Sequence, residues 1–331
     1  MPVDLLLVSL GSTAGLRAAE AELAGALRRA GATVAEVVAA PQGDVRTLAL
    51  TDLVWARAAR AAARRGIAEH APRAVIYSTV TAALLWPRPG AIRYDAPAAA
   101  NRPGRHGLWQ RPVERRRLRE APLLLPQAQG TLDEGPDRHA PAVIVPIPVE
   151  PSGPPAATEA RDLAAVTYAA NPHKKGLDRI LAAWRASARP GEELVVAGTS
   201  HVPVTPGVRN AGVLAPGEFR ALLRRARVYV TAPRREDYGV SQLEALADGC
   251  LLVTTAAAGP YAALPLARDL DARLVGDDLG AGLRTALDAP APGYAVRALE
   301  ALAPYRRAAV DRVVAEELLP ALLSAAPPRA S

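Results

Sequence analysis

Two glutamates with seven residues between them, Glu236 and Glu244, bracket a turn in the run RVYVTAPRREDYGVSQLEALADG, residues 227–249. Glu244 stands between Leu243 and Ala245 on a short and otherwise apolar stretch. A carboxylate there is costly to bury without a partner, and a ribose diol would be such a partner. Backbone amides that open the helix after the turn point at anything anionic placed beyond it. The chemistry suggested is therefore the holding of a hydroxylated, anionic ligand.

Such a turn needs a strand before it and a helix after it. Residues 227–232 alternate β-branched and small residues as a buried strand does, and residues 241–248 have the apolar spacing of a helix packed on a sheet. In an open α/β sheet, ligands bind beyond the carboxyl ends of the strands. The remaining chain supplies the sheets. In the first half, strands are expected over 3–9, 33–38, 74–78, 91–94, 123–125 and 143–149, with a helix over 14–29 and a long helical stretch ending near Arg65, for which Asp44 or Thr51 could be the cap. In the second half, strands are expected over 164–169, 193–197, 251–255 and 273–275, helices over 177–188, 217–225 and 279–287, and a helical tail over 294–324 broken at Pro304. This alternation predicts an α/β fold of two Rossmann-like, doubly wound domains facing across a cleft. The domains would span 1–150 and 151–303, joined by the Pro-rich stretch EPSGPPAATE at 150–159, with a last helix, 304–325, returning to the first domain.

Composition narrows the partners. Half of the 331 residues are hydrophobic, enough for two cores. Cys250 is the single cysteine, which excludes a disulfide framework and fits a cytoplasmic setting. The N-terminus MPVDLLLVSLGS lacks the basic start of a signal peptide, and no run approaches the roughly twenty apolar residues of a membrane span. The five histidines show no metal-ligand spacing, so no zinc site is expected. No Gly-x-Gly-x-x-Gly follows a strand, which argues against a dinucleotide dehydrogenase. The net charge of +7 favours anionic partners, and residues 91–120 carry eight arginines against three acids. That segment, chiefly 102–119, could grip an anionic acceptor or touch the inner membrane face peripherally, and it also reads as a solvated helix face. Trp55 and Trp184 lie on amphipathic stretches and are expected in the core.

The segment EDYGVSQLEALADGCLLVTT resembles the donor-binding signature of family 4 retaining glycosyltransferases of the GT-B fold, with Gly239, Ala245 and Gly249 in place beside the glutamate pair. Upstream, YAANPHKKGLDRIL resembles that family's diphosphate-binding loop, matching at Lys175 and Gly176. An arginine is usual five residues before the lysine; Ala170 stands there, so that Lys174, Asn171 or His173 would have to compensate. The resemblance implies an acceptor domain followed by a donor domain. Glu236 would hold hydroxyls of the donor sugar, Glu244 the nucleotide ribose, and Lys175 the diphosphate, assisted by the amides of Gly239, Val240 and Ser241 and with Tyr238 in the donor set. Gly11, Ser12 and Thr13 follow the first strand, where the family keeps a small-residue loop, and Asp95 ends the strand AIRYD where the family places a polar residue near the sugar. Glu236, Lys175 and Asp95 form the expected catalytic set. The implied activity moves a hexose-type sugar from a nucleoside-diphosphate sugar to a hydroxyl of a glycan, lipid-linked or small acceptor. It needs neither metal nor cofactor, since the leaving phosphate serves as base, and nucleic acid is not an expected partner. Two other readings stay open: a sugar-nucleotide epimerase or phosphorylase on the same frame, and a non-catalytic module for an anionic ligand.

Overall fold

The computed structural model describes residues 2–325 except 44, 46, 103, 138 and 155–160. The chain forms two compact units, one built from residues up to Pro148 together with those from Arg307 onward, the other from Val149–Arg306.

In the first unit β1 (Leu5–Ser9), β2 (Val34–Val38), β3 (Ala74–Tyr77), β4 (Ala91–Tyr94) and β5 (Leu124–Pro126) form one parallel sheet in the order β2-β1-β3-β4-β5. β1 is buried along its whole length because both faces of a parallel sheet are covered. Its side chains alternate between two cores. Leu6 and Val8 pack with Ala56, Ala59 and Ala63 of α2 (Leu48–His70), while Leu5 and Leu7 pack with Leu23 and Leu27 of α1 (Ala14–Arg29). The second core also takes Val310, Val314, Leu318 and Leu322 from the helical tail over 307–324, so the end of the chain crosses back to the first unit. Arg29 fixes that tail with a hydrogen bond to Asp311 at 2.7 Å. A third long helix, α3 (Gln110–Glu120), carries the arginine-rich run.

The second unit repeats the plan. β6 (Leu163–Tyr168), β7 (Leu194–Ala197), β8 (Val208–Gly212), β9 (Ala226–Thr231) and β10 (Leu251–Thr254) form a parallel sheet in the order β10-β9-β6-β7-β8. Helices α4 (Leu177–Ser187), α5 (Pro216–Arg225) and α6 (Val240–Ala247) connect these strands. Trp184 is buried in this unit as expected; Trp55, in the first, is only partly buried against its core.

Four local expectations are corrected. Residues 143–149 form no strand, because Pro146 and Pro148 have no N–H to give a ladder; the amides of Val143 and Val145 donate to Leu124 and Pro126, and that of Val149 turns to Tyr305. Arg273–Val275 is no strand either: a 3₁₀ turn over Ala272–Leu274 is held by the Asp271 side chain, leaving one bridge between Val275 and Thr254. β8 was not expected, since VRNAG is a polar edge strand without apolar alternation. The cap of α2 is Thr47, whose hydroxyl accepts the Leu50 amide; Thr51 lies inside the helix and Asp44 outside the described residues. Of the expected linker, 155–159 also lies outside the described residues.

Candidate functional site

In the second unit the chain leaves β6 toward β7 and β8 and returns on the other side of β6 as β9. The strand order reverses between β6 and β9, the point beyond whose carboxyl ends an open α/β sheet binds its ligands. The loop after β6 is tied by Asn171, whose Oδ1 accepts the Lys174 amide and whose carbonyl accepts the Lys175 amide, both at 2.9 Å. It ends at Gly176, at φ +66°, where a Cβ would lie 1.9 Å from the Ala232 carbonyl oxygen. The loop after β9 meets it. The Arg234 amide donates to the Lys174 carbonyl at 2.9 Å, and the Arg234 guanidinium donates to the His173 carbonyl at 2.7 Å.

These contacts set two lysines on two acids. Lys175 Nζ donates to Glu236 Oε2 at 2.5 Å, and Lys174 Nζ to Asp237 Oδ2 at 2.6 Å. Glu236 is 5% exposed, and the same oxygen accepts Gln242 Nε2 at 2.8 Å. Gln242, fully buried, accepts from Ser241 Oγ at 2.9 Å, and the Ser241 hydroxyl accepts from Tyr229 at 3.0 Å. A line of hydrogen bonds from β9 through the first turn of α6 thus holds the Glu236 carboxylate in one orientation. Gly239, at φ +91°, starts the helix against the Tyr261 ring, and the amides of the first turn, Val240 and Ser241 among them, have no intrahelical carbonyl to reach. Tyr238 is buried behind that turn. Burial works to raise the Asp237 carboxyl, but Lys174 and Arg235 outweigh it and hold it below the usual carboxylate range.

Glu244 has a partner within the chain. Its carboxylate lies 3.6 Å from Arg220 of α5, which also donates to Asp248 at 2.6 Å. Burial raises the Glu244 carboxyl above its ordinary value, Arg220 opposes this, and Asp248 adds to it. The residues offered in place of an arginine at Ala170 divide accordingly: Asn171 is used as a cap, Lys174 faces Asp237, and His173 is exposed with its carbonyl on Arg234. Sequence reasoning missed Gln242, Arg220 and Asp237. Asp237 stood in plain view beside Glu236, whereas Gln242 and Arg220 act through tertiary contacts that no spacing announces. Cys250 is an inert core residue whose thiol burial pushes up to about 12.

The first unit has its own switch point, between β1 and β3. Gly11, at φ +61°, follows β1, and a Cβ there would meet Val38 at 2.9 Å. Ser12 and the exposed Asp95, at the end of β4, line a cavity of about 290 Å³ together with Asp52, Trp55, Arg102 and Glu114. Asp95 Oδ1 accepts the Ala96 amide at 2.9 Å. Of the arginine-rich segment, Arg102 pairs with Asp52 at 2.8 Å, Arg117 lies 4.6 Å over the Trp86 ring, and Arg115 and Arg119 are exposed.

Glu114 in this cavity predicts a pH effect. Burial raises its carboxyl to about 7 against the pull of the Ala98 amide, Arg102 and Arg115, with Asp52 adding to the rise. The folded state therefore binds this proton more tightly than the unfolded chain, so the stability it contributes is full below the ordinary glutamate range and is lost as pH rises through about 7. Urea midpoints of wild type and Glu114→Gln are expected to converge at low pH, with the wild type falling relative to the variant between about pH 5 and pH 8. Parallel curves would show that Glu114 does not titrate in this range.

Among the described residues no helix is long and apolar enough to cross a membrane, and no group of three or more His, Cys, Asp or Glu side chains is placed to hold a metal ion. No protein-family model and no curated protein matches the sequence. Solved structures do. The chain is similar to WaaG, a glycosyltransferase involved in lipopolysaccharide biosynthesis, at 16% identity and a TM-score of 0.68 over 94% of this chain and 99% of that one. It is similar to sucrose-phosphate synthase from Thermosynechococcus elongatus at 15% identity and a TM-score of 0.69, covering 98% of this chain and 100% of that one. Against Anabaena HepE in complex with UDP and glucose, the identity is 13% and the TM-score 0.67, over 95% and 98% of the two chains. At these identities the likeness is one of fold: the chain has the GT-B fold over nearly its whole length.

Proposed function

We propose that this GT-B chain is a cytoplasmic retaining glycosyltransferase, related to family 4, that moves a hexose-type sugar from a nucleoside-diphosphate sugar to an acceptor hydroxyl without a metal. The observation that carries the reading is the Lys175–Glu236–Gln242 arrangement at the switch point of the second sheet. When the bond between the anomeric carbon and the phosphate oxygen breaks, its electron pair goes to the diphosphate and positive charge develops on the sugar ring. Lys175 and the amides opening α6 supply fixed positive charge to the first, and Glu236, aimed by Gln242, accepts hydrogen bonds from hydroxyls of the second. The acceptor oxygen bonds the anomeric carbon on the face the diphosphate leaves, and its proton passes to the leaving phosphate oxygen. The absence of an arginine at Ala170 favours the non-catalytic reading as the second choice. Exposed Arg115 and Arg119 are what the arginine-rich segment offers an anionic surface such as the inner membrane face.

The donor site is tested by calorimetric titration with UDP, GDP and ADP. One nucleotide is expected to bind, and Glu244→Ala is expected to weaken it by about 1–3 kcal/mol, the range for a lost charged hydrogen bond. Equal affinity in wild type and variant would remove Glu244 from the ribose. Nucleotide binding with no sugar transfer or hydrolysis would move the assignment to the non-catalytic module.

A further inference from the structure

We infer that the cavity of the first unit binds a compact ring polyol carrying a primary ammonium group, and, resting on the transferase reading above, that such a molecule is the acceptor. The cavity is small. At about 290 Å³ it lies at the bottom of the range of roughly 300–1,000 Å³ typical of ligand pockets, room for one ring and its substituents. Its place fits a ligand: Leu10, Ser12 and Thr79 bring it to the carboxyl ends of β1 and β3, where the strand order of the first sheet reverses. Trp55, Tyr94 and Val80 give it an apolar wall for a ring face.

The polar lining selects for donors and positive charge. Three carboxyl groups, Asp52, Asp95 and Glu114, line the cavity with one guanidinium, Arg102, which already gives Asp52 two hydrogen bonds at 2.8 and 3.2 Å. Glu114 is 2% exposed, and both of its oxygens rest on a single donor, the Ala98 amide, at 2.7 and 2.9 Å. A carboxylate has about four lone-pair positions, so acceptor capacity remains there. One turn earlier on the same helix, Gln110 is 3% exposed and lines the cavity, and its Oε1 has no hydrogen-bond partner among the described residues. A buried acceptor with no donor is rare in a finished site and is satisfied when a ligand brings one. Metal ligation is not the answer, because these carboxylates are not grouped at metal-binding spacing. An ammonium with several hydroxyls meets the remaining demands: cation to the carboxylates, O–H to Gln110.

The same lining disfavours phosphorylated sugars and lipid phosphates, which would add negative charge beside Asp52, Asp95 and, once it ionises, Glu114. That departs from the expectation that the arginine-rich segment grips an anionic acceptor. The helix is divided by face: Gln110 and Glu114 are buried and line the cavity, whereas Arg115, Arg116 and Arg119 are exposed.

Calorimetric titration of the full chain, without nucleotide, with glucosamine, glucose and glucose 6-phosphate tests the assignment. Glucosamine is expected to bind about tenfold or more tighter than glucose, the scale of one charge-assisted hydrogen bond, and glucose 6-phosphate not to bind. Glu114→Gln and, separately, Asp95→Asn are expected to shrink the preference for the amine to a few-fold while glucose binding persists; the exposed Asp95 keeps the test usable should Glu114→Gln fail to fold. Equal or tighter binding of the sugar phosphate, or no binding of any of the three, overturns the inference. Nucleotide titration of the same sample separates it from the donor reading: nucleotide binding without sugar binding sinks the cavity assignment alone, and sugar binding without nucleotide binding sinks the donor assignment alone.

Discussion

Lys175→Met is expected to lower turnover of the nucleotide sugar by about 10²–10³-fold, the scale of losing one fixed charge where the leaving group develops its own. Lys175 Nζ rests on Glu236 Oε2 at 2.5 Å, so on the proposed transferase reading it exchanges that partner, at least in part, for the diphosphate when the donor arrives. Its contribution then grows as negative charge builds on the departing phosphate, which is why kcat should suffer more than the nucleotide Kd. The substitution has a second consequence. Glu236, 5% exposed, would keep only Gln242 as a side-chain donor, and breaking a buried ion pair from one side costs about 3–5 kcal/mol. A loss of activity could therefore be a loss of fold. The double variant Lys175→Met with Glu236→Gln removes the stranded charge and is expected to recover the denaturation midpoint without recovering turnover. Single-variant kcat within a few-fold of wild type would take Lys175 out of the chemistry.

What the sequence made legible was the part with strong local signals. Ser9, Arg29, Thr231 and Ala247 end their elements within a residue or so of where apolar periodicity puts them, because each strand is buried on both faces and each helix presents one apolar side. The glutamate pair and the lysine loop were found through residue types at fixed spacing, and the fold lays Lys175 directly on Glu236. Three things stayed hidden for physical reasons. A short edge strand such as β8 is held by its neighbour's hydrogen bonds and needs no alternation. Apolar runs over 143–149 and 273–275 looked like strands because periodicity does not register the missing N–H of two prolines or a side-chain cap at Asp271. Gln242 and Arg220 owe their roles to groups six and twenty-four residues away, Glu236 and Glu244, and a helix sequence does not reveal which neighbour its polar residue will meet.

The lysine loop also depends on one residue that has no side chain at all, and Gly176→Ala is expected to damage both stability and donor binding. Two penalties combine. At φ +66° any residue with a Cβ pays for the left-handed backbone, about 1–2 kcal/mol. In addition, the new Cβ would lie 1.9 Å from the Ala232 carbonyl oxygen, which is backbone at the end of β9 and has no rotamer to retreat into. Gly191 separates the two: its φ is +86° and no atom lies within 4 Å of its would-be Cβ. Gly191→Ala should therefore show the conformational penalty alone, and Gly176→Ala should exceed it by about 1–3 kcal/mol, the usual toll of overpacking, in denaturant titration. Relief of the clash requires the loop after β6 to move off β9, which lengthens the Lys175–Glu236 and Lys174–Asp237 contacts together. Nucleotide affinity should accordingly fall in Gly176→Ala and stay at the wild-type value in Gly191→Ala. Equal stability losses in the two variants would mean that the loop yields without strain, and that the register between Lys175 and Glu236 is set elsewhere.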